Sequence, residues 1–433
     1  MSGTRKARRV DCVSLRFPLD AAVTTTAVDA TQSSSDAAQS SWRSPLVWWF
    51  AVAAFNAGTA LLRGVSTSSQ AARWWWSIDD QIPERTARWF LDGANGMLLD
   101  GWQATDRGPL QALLLLWGGR WSTNPVPAYF AGILINSVWV VGLWWFFRAV
   151  RVNEARIRWS VLLTALTGSI WLNTVYPWPK LLSGACALGC AAAILYRRPV
   201  IAGALGALAV LAHGAAIFAL VGLVPWVVTR VGRRGLLTLL ACAALYSPWT
   251  VFTQVVDPPG DRLIKFHFAG TYIEGPDDRP ALEAIVSEYR HAGLDVIGFK
   301  MNNLRLVAGD PTVLDGTLGA WTPRWNEHDG IPGRLRSYQV TRIIWAPGVL
   351  LIGLFFGWRR VPRTVWLMLA AWLASYVLLE WGGHGAASAW LHTAPMCLVI
   401  GWVAVCALAS PRWMLPVQAA FFVGMWFLAP SAF

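Results

Sequence analysis

Charge is scarce in this chain. Asp, Glu, Lys and Arg together make up 14% of its 433 residues, with 24 acids against 36 bases. Soluble domains carry about a quarter charged residues, so an ordinary water-facing surface is excluded over most of the length. Cysteine is equally thin. Of six, Cys186, Cys190, Cys242, Cys397 and Cys406 lie inside apolar runs and Cys12 near the start, which gives no disulfide framework. Cys186 and Cys190 are four apart and share a helical face in SGACALGCAAA, where they read as small residues at a helix contact. No GxGxxG, no phosphate-binding P-loop and no internal repeat is present, so ATP-driven transport has no support. The six histidines are scattered. Those of WNEHDG, between Glu327 and Asp329, and the isolated His213 and His384 make poor metal sites without spaced partners.

What is abundant is apolar. Hydrophobic residues make up 55% of the chain and the mean hydropathy is +0.43. The apolar runs recur too often for soluble core helices, so the chain reads as an all-α polytopic membrane protein. Tryptophan reaches 29, and clusters such as Trp74-Trp75-Trp76 suit the half-wet bilayer interface. The net charge of +12 sits mainly as arginines in short breaks between apolar runs. That pattern points to membrane topology and anionic lipid, not to nucleic acid.

Residues 1–40 are Ser/Thr/Ala-rich behind Arg5, Lys6, Arg8 and Arg9, and read as a disordered cytoplasmic tail. A transmembrane module follows over 41–254. Its first span is Pro45–Leu62, long enough for about 30 Å of hydrocarbon, and an external loop over 63–127 comes next. In that loop Pro83–Leu91 is expected as an interfacial helix with Ala87, Phe90 and Leu91 on its apolar side. A second short helix is expected from Pro109 to Gly118. Further spans are expected at 128–149, 159–176, 181–196, two within 200–228, and 236–252. Residues 255–340 form a second external, hydrophilic segment with amphipathic helices at 281–292 and 296–307. The C-terminal helices of 341–433 add spans at 343–356, 365–379, 389–408 and 414–428. The total is roughly eleven spans, and the arginine clusters fall on one side, the predicted inside. The expected location is a bacterial plasma (inner) membrane with the N-terminus cytoplasmic.

The first external loop concentrates ionisable groups. Asp79, Asp80, Glu84, Asp92, Asp100 and Asp106 all lie between Ser77 and Gln111, and the stretch ends in Asp106-Arg107-Gly108-Pro109-Leu110. These features resemble the GT-C-fold, polyprenyl-phosphate-dependent membrane glycosyltransferases, which include the aminoarabinose transferases and protein O-mannosyltransferases. In that family an acidic pair after the first span is followed by Ala-Arg and Leu; here Asp79-Asp80 precedes Ala87-Arg88 and Leu91. The family's acid-base-Pro-Pro-Leu motif looks like Asp106-Arg107-Gly108-Pro109-Leu110. Its Leu-Thr-Lys-Gly-Pro turn looks like Leu211-Ala212-His213-Gly214-Ala215, and its Pro-Trp-Tyr looks like Pro248-Trp249-Thr250. The departures are Gly108 for a proline, His213 for a lysine, and Lys180 near a position where several relatives carry an acid.

The resemblance implies transfer of a sugar from a polyprenyl-phosphate donor to an extracytoplasmic lipid, glycan or protein, by a single inverting displacement. Such chemistry needs a base for the acceptor and cations for the departing phosphate; a positioned base contributes about 10²–10⁴ in rate. Asp79 is the expected base. Asp80 is either catalytic or a helix cap, and Asp106 orients the acceptor or shares a divalent cation with Asp79 or Asp80. No other cofactor is implied. Arg107 offers a planar fork for phosphate, Lys180 sits in the proline-bounded turn Tyr176-Pro177-Trp178-Pro179, and Lys265 and His267 in DRLIKFHF are further phosphate candidates. The rival reading is a transporter of lipid or solute, which would place its ionisable groups along a midplane path. Asn56, Glu380 and His384 are what the chain offers for that.

Overall fold

The structure is a computed structural model. It describes residues 45–62, 81–94, 105, 107–119, 125–176, 178–256, 258–271, 277–308, 343–382 and 394–428. Asp79, Asp80, Asp106, the N-terminal 1–40 and the WNEHDG stretch lie outside these residues, as does His384. The described part is helical throughout, with no strand among its residues.

The N-terminal elements are α1 (Pro45–Leu62), α2 (Ile82–Leu91) and α3 (Leu110–Leu116), followed by α4 (Pro125–Asn136) and α5 (Trp139–Ala149). Next come α6 (Glu154–Leu166) and α7 (Gly168–Val175), separated by an extended Thr167. Then follow α8 (Lys180–Leu195), α9 (Pro199–Ala212), α10 (Ala216–Trp226) and α11 (Gly235–Val256). The polar segment folds as α12 (Arg262–Ala269), α13 (Ala281–Ala292) and α14 (Asp295–Ala308). The chain closes with α15 (Leu351–Gly357), α16 (Arg363–Leu379), α17 (Met396–Ala409) and α18 (Met414–Leu428).

Two continuous helical stretches, Val126–Ala149 and Ala216–Val256, are long and apolar enough to cross a membrane. A third is added if α7 and α8, bent by 114° at the turn between them, count as one span. The other apolar helices are shorter than the roughly 20 residues a straight crossing needs. The expected span at 343–356 is not continuous. Pro347 and a left-handed Gly348 break it into two 3₁₀ turns before the seven-residue α15. The expected span at 159–176 is likewise interrupted at Thr167.

Burial sorts the helices by role. Every residue of α17 except Trp402 is buried, so this apolar helix is enclosed by protein. In α11 only Gly235, Thr238 and Thr253 are buried, while Leu236, Leu239, Leu240, Val251 and Val255 are exposed. An apolar helix with this much exposed surface matches hydrocarbon, because lipid tails are as apolar as leucine and impose no penalty on those side chains. For the same reason close contact must come from small residues. A Cβ at Gly142 would run into the carbonyl of Ala185, and one at Gly203 into that of Thr238, so α5 meets α8, and α9 meets α11, backbone to backbone.

The short helix of the first loop differs in facing. Its buried side is Ile82, Pro83, Thr86, Ala87 and Trp89, whereas Leu91 is exposed and Phe90 half-buried. Trp89 and Phe90 meet Phe252 of α11, on which Trp249 stacks. The aromatic pair beside the expected Pro248-Trp249 motif therefore holds α2 against the long apolar helix, and Glu84 is buried against Arg88 at 2.8 Å.

Candidate functional site

The chemistry of the described residues gathers where α8 begins, α9 and α16 end and α12 crosses. Lys180 is the first residue of α8 and is 2% exposed. A cation at a helix N-terminus opposes the helix dipole, and burial removes its water. Its Nζ lies 4.0 Å from the centre of the Trp178 ring, whose π face offsets part of that cost. The Trp178 ring in turn meets His213 edge-on, with centroids 5.7 Å apart.

His213 caps the C-terminal end of α9, with its backbone N–H donating to the Ala209 carbonyl. The Ala215 N–H donates to its Nδ1 at 3.3 Å, so Nδ1 acts as the acceptor and Nε2 carries the hydrogen. Burial holds His213 well below the ordinary imidazole range, and the charges of Lys180, His267 and Arg107 push the same way. It is thus a neutral donor among cations. The same relation places Arg107, Lys180 and His267 each within electrostatic reach of His213.

Arg107 reaches this turn because Gly108 lies directly on the backbone of Leu211 and Ala212, where any Cβ would clash with the Leu211 carbonyl. The two short motifs at 106–110 and 211–215, about a hundred residues apart, are therefore in contact. A proline at 108 would not fit here.

His267, on α12, is buried and its Nδ1 is 2.9 Å from Oε2 of Glu380, the residue that ends α16. Glu380 is 1% exposed, and burial raises its carboxyl, partly opposed by His267 and Lys300. The backbone around it is tied down. The Glu380 carbonyl accepts from Lys300 Nζ at 2.6 Å and Asn303 Nδ2 at 2.8 Å, and the Trp381 N–H donates to the His267 carbonyl at 2.8 Å. Lys300, half-buried and donating also to the Tyr289 hydroxyl, is lowered to about 8 by desolvation.

Lys265 lies two residues before His267 on α12 and is engaged elsewhere. It is 1% exposed, forms an ion pair with Asp261 at 2.7 Å and donates to the Asp277 carbonyl at 2.6 Å. Asp261 also accepts from the Ala281 N–H, so the pair ties α12 to the start of α13. Of the four sequence-predicted phosphate residues, Arg107, Lys180 and His267 come together and Lys265 has a structural partnership of its own. From the sequence, Trp178 stood only as part of a turn, His213 as a lone histidine in a motif and Glu380 as a candidate for the transporter reading. Among the described residues no group of three His, Cys, Asp or Glu stands ready for a metal ion. Neither the known protein families, nor the curated proteins, nor the solved structures give a match to this chain.

Proposed function

We propose that the chain is a membrane glycosyltransferase that takes a sugar from a polyprenyl-phosphate donor and passes it to an extracytoplasmic acceptor. The observation that carries the reading is the convergence of Arg107, Lys180 and the neutral donor His213 on one turn, at the end of the bundle away from the exposed arginine clusters. Lys180 places a buried cation at a helix start, and a lipid-borne phosphate entering between helices is an anion it would hold. In this reading Arg107 and Lys180 take the charge that grows on the phosphate as the glycosidic bond breaks, and His213 donates to one of its oxygens. Asp79, close in sequence to this loop, takes the acceptor's proton, and Asp80 and Asp106 are the further acidic residues of the reaction. Attack opposite the phosphate inverts the anomeric carbon. The protein sits in a bacterial inner membrane, with roughly eleven apolar segments in or along the bilayer.

A transporter is the second reading, favoured by Asn56, which is 1% exposed inside α1 with its Oδ1 unbonded. Mass spectrometry of envelope lipids and glycans separates the two. Cells lacking the gene should lose one sugar from one species, restored by wild type and by Asn56→Leu but not by Lys180→Met or Asp79→Asn. Restoration by both of the latter would refute glycosyl transfer.

A further inference from the structure

The His267–Glu380 pair is not used by the grip just described, and its geometry is directional. Glu380 takes the Nδ1 side of the ring at 2.9 Å. The opposite nitrogen faces the 213–214 turn: a Cβ built on Gly214 would lie 3.3 Å from His267 Nε2. Phe218 and Phe266 pack edge-on against the imidazole and fix its plane. The carboxylate end is held by α14, through Lys300 and Asn303 on the Glu380 carbonyl. A carboxylate on one ring nitrogen sets the tautomer and supports an imidazolium, leaving the other nitrogen to exchange a proton with whatever lies beyond. What lies beyond is the turn on which Arg107, Lys180 and His213 converge.

We infer that His267 is a catalytic residue that delivers a proton from Nε2 to the departing lipid phosphate, with Glu380 as its positioning residue. The inference rests on the glycosyl-transfer reading above. The step balances as follows. The acceptor oxygen bonds to the anomeric carbon and gives its proton to the loop carboxylate. The carbon–oxygen bond to phosphate breaks and leaves its electron pair on the phosphate oxygen. The Nε2 proton of the imidazolium passes to the phosphate, and water restores it after the lipid leaves. Gly214 belongs to the same device, because a side chain there would fill the space in front of Nε2. The charged groups around the ring come from every neighbouring element: Glu380 at the end of α16, Lys300 on α14, Lys180 on α8, Lys265 on its own helix, and His213 and Arg107 at the turn.

The test uses the full chain in phosphatidylcholine nanodiscs with farnesyl phosphate as the probe, followed by phosphorus NMR between about pH 5 and 8, the range in which imidazole titrates. In the wild type the bound phosphate should ionise at lower pH than the free probe, because the imidazolium favours the dianion. Glu380→Gln keeps an acceptor for Nδ1–H but removes the charge, and should raise the midpoint by about one unit. His267→Gln should raise it equally, and the double variant no further, since the two act as one device. Gly214→Ala leaves the pair intact and should weaken binding about tenfold, which serves if His267→Gln does not fold. Unchanged midpoint and affinity in Glu380→Gln and Gly214→Ala, with binding lost in Lys180→Met, would overturn the role of His267 and leave the transferase standing. A wild type that binds farnesyl phosphate no better than farnesol would overturn both.

Discussion

The two ends of the helical bundle hold their charges in opposite ways. At one end are Arg148, Arg151, Arg197, Arg198, Arg230, Arg233, Arg234, Arg359, Arg363 and Arg412, all exposed. The half-buried Arg156 donates to the carbonyls of Leu408 and Ser410, and Arg360 to that of Ala409, so these two cap the last turn of α17. At the other end, beside exposed bases such as Arg290 and Arg305, four are buried: Lys180, Lys265, His213 and His267, each at most 9% exposed. The length of α8 separates Lys180 from Arg197, about 24 Å at 1.5 Å per residue. Exposed arginines at helix ends cost little and set topology by attraction to anionic headgroups. Buried lysines and histidines cost a good deal, and a chain retains them where they bind, react or, as Lys265 does with Asp261, hold a structural ion pair. Composition treats all these residues alike; burial tells them apart.

The contrast can be sharpened within the buried end itself. Lys265→Met leaves Asp261 without its partner and loosens the link from α12 to α13. A loss of about 3 kcal/mol is expected, read as a lower melting temperature in detergent, with transfer per folded molecule changed less than threefold. A large drop in transfer at unchanged stability would instead place Lys265 with Lys180. Gly108→Ala probes the contact between the two motifs. Its methyl group would strike the Leu211 carbonyl, so about 1–3 kcal/mol of destabilisation is expected, with transfer falling alongside because Arg107 is displaced. An alanine variant as stable and active as wild type would show that the motifs need not touch. The smallest effect concerns Lys300. Its folded-state value of about 8 lies below the ordinary lysine value of 10.5, so between these values the unfolded chain binds the proton more readily. Stability should therefore rise with pH across that window and level off above it. Thermal melts from pH 7 to 10 should show the rise in wild type and its loss in Lys300→Met; a rise persisting in the variant would assign it to another group.

Part of this organisation was legible in the sequence because it is local. The amphipathic helices at 281–292 and 296–307 were readable from their periodicity, and structure places α13 and α14 at Ala281–Ala292 and Asp295–Ala308. Arginine punctuation marked helix ends, and Arg107 and Lys180 stood out as bases beside rigid turns. In α2, Ala87 is buried as expected and Phe90 meets Phe252, whereas Leu91 is exposed; the buried Trp89 went unread because its partner Phe252 is about 160 residues away. His213 was discounted as a lone histidine, and only the fold brings Trp178 and Lys180 against it. Glu380 was visible as an acid at the end of an apolar run, yet its partner His267 is 113 positions away. Nothing local announces a pair of that separation. The interrupted segment at 343–357 carried its own signal in Pro347 and Gly348, which the apolar pattern obscured.

The most direct measurement of the contrast between the ends is farnesyl phosphate binding to three purified proteins in nanodiscs: wild type, Lys180→Met, and Arg197→Gln combined with Arg198→Gln. If the buried end is the phosphate site, Lys180→Met loses binding about a hundredfold, on the scale of removing one preorganised cation, while the arginine variant binds like wild type. The fold should survive in both. Binding that persists in Lys180→Met and disappears with the arginine pair would contradict the account and move the site to the opposite end of the bundle.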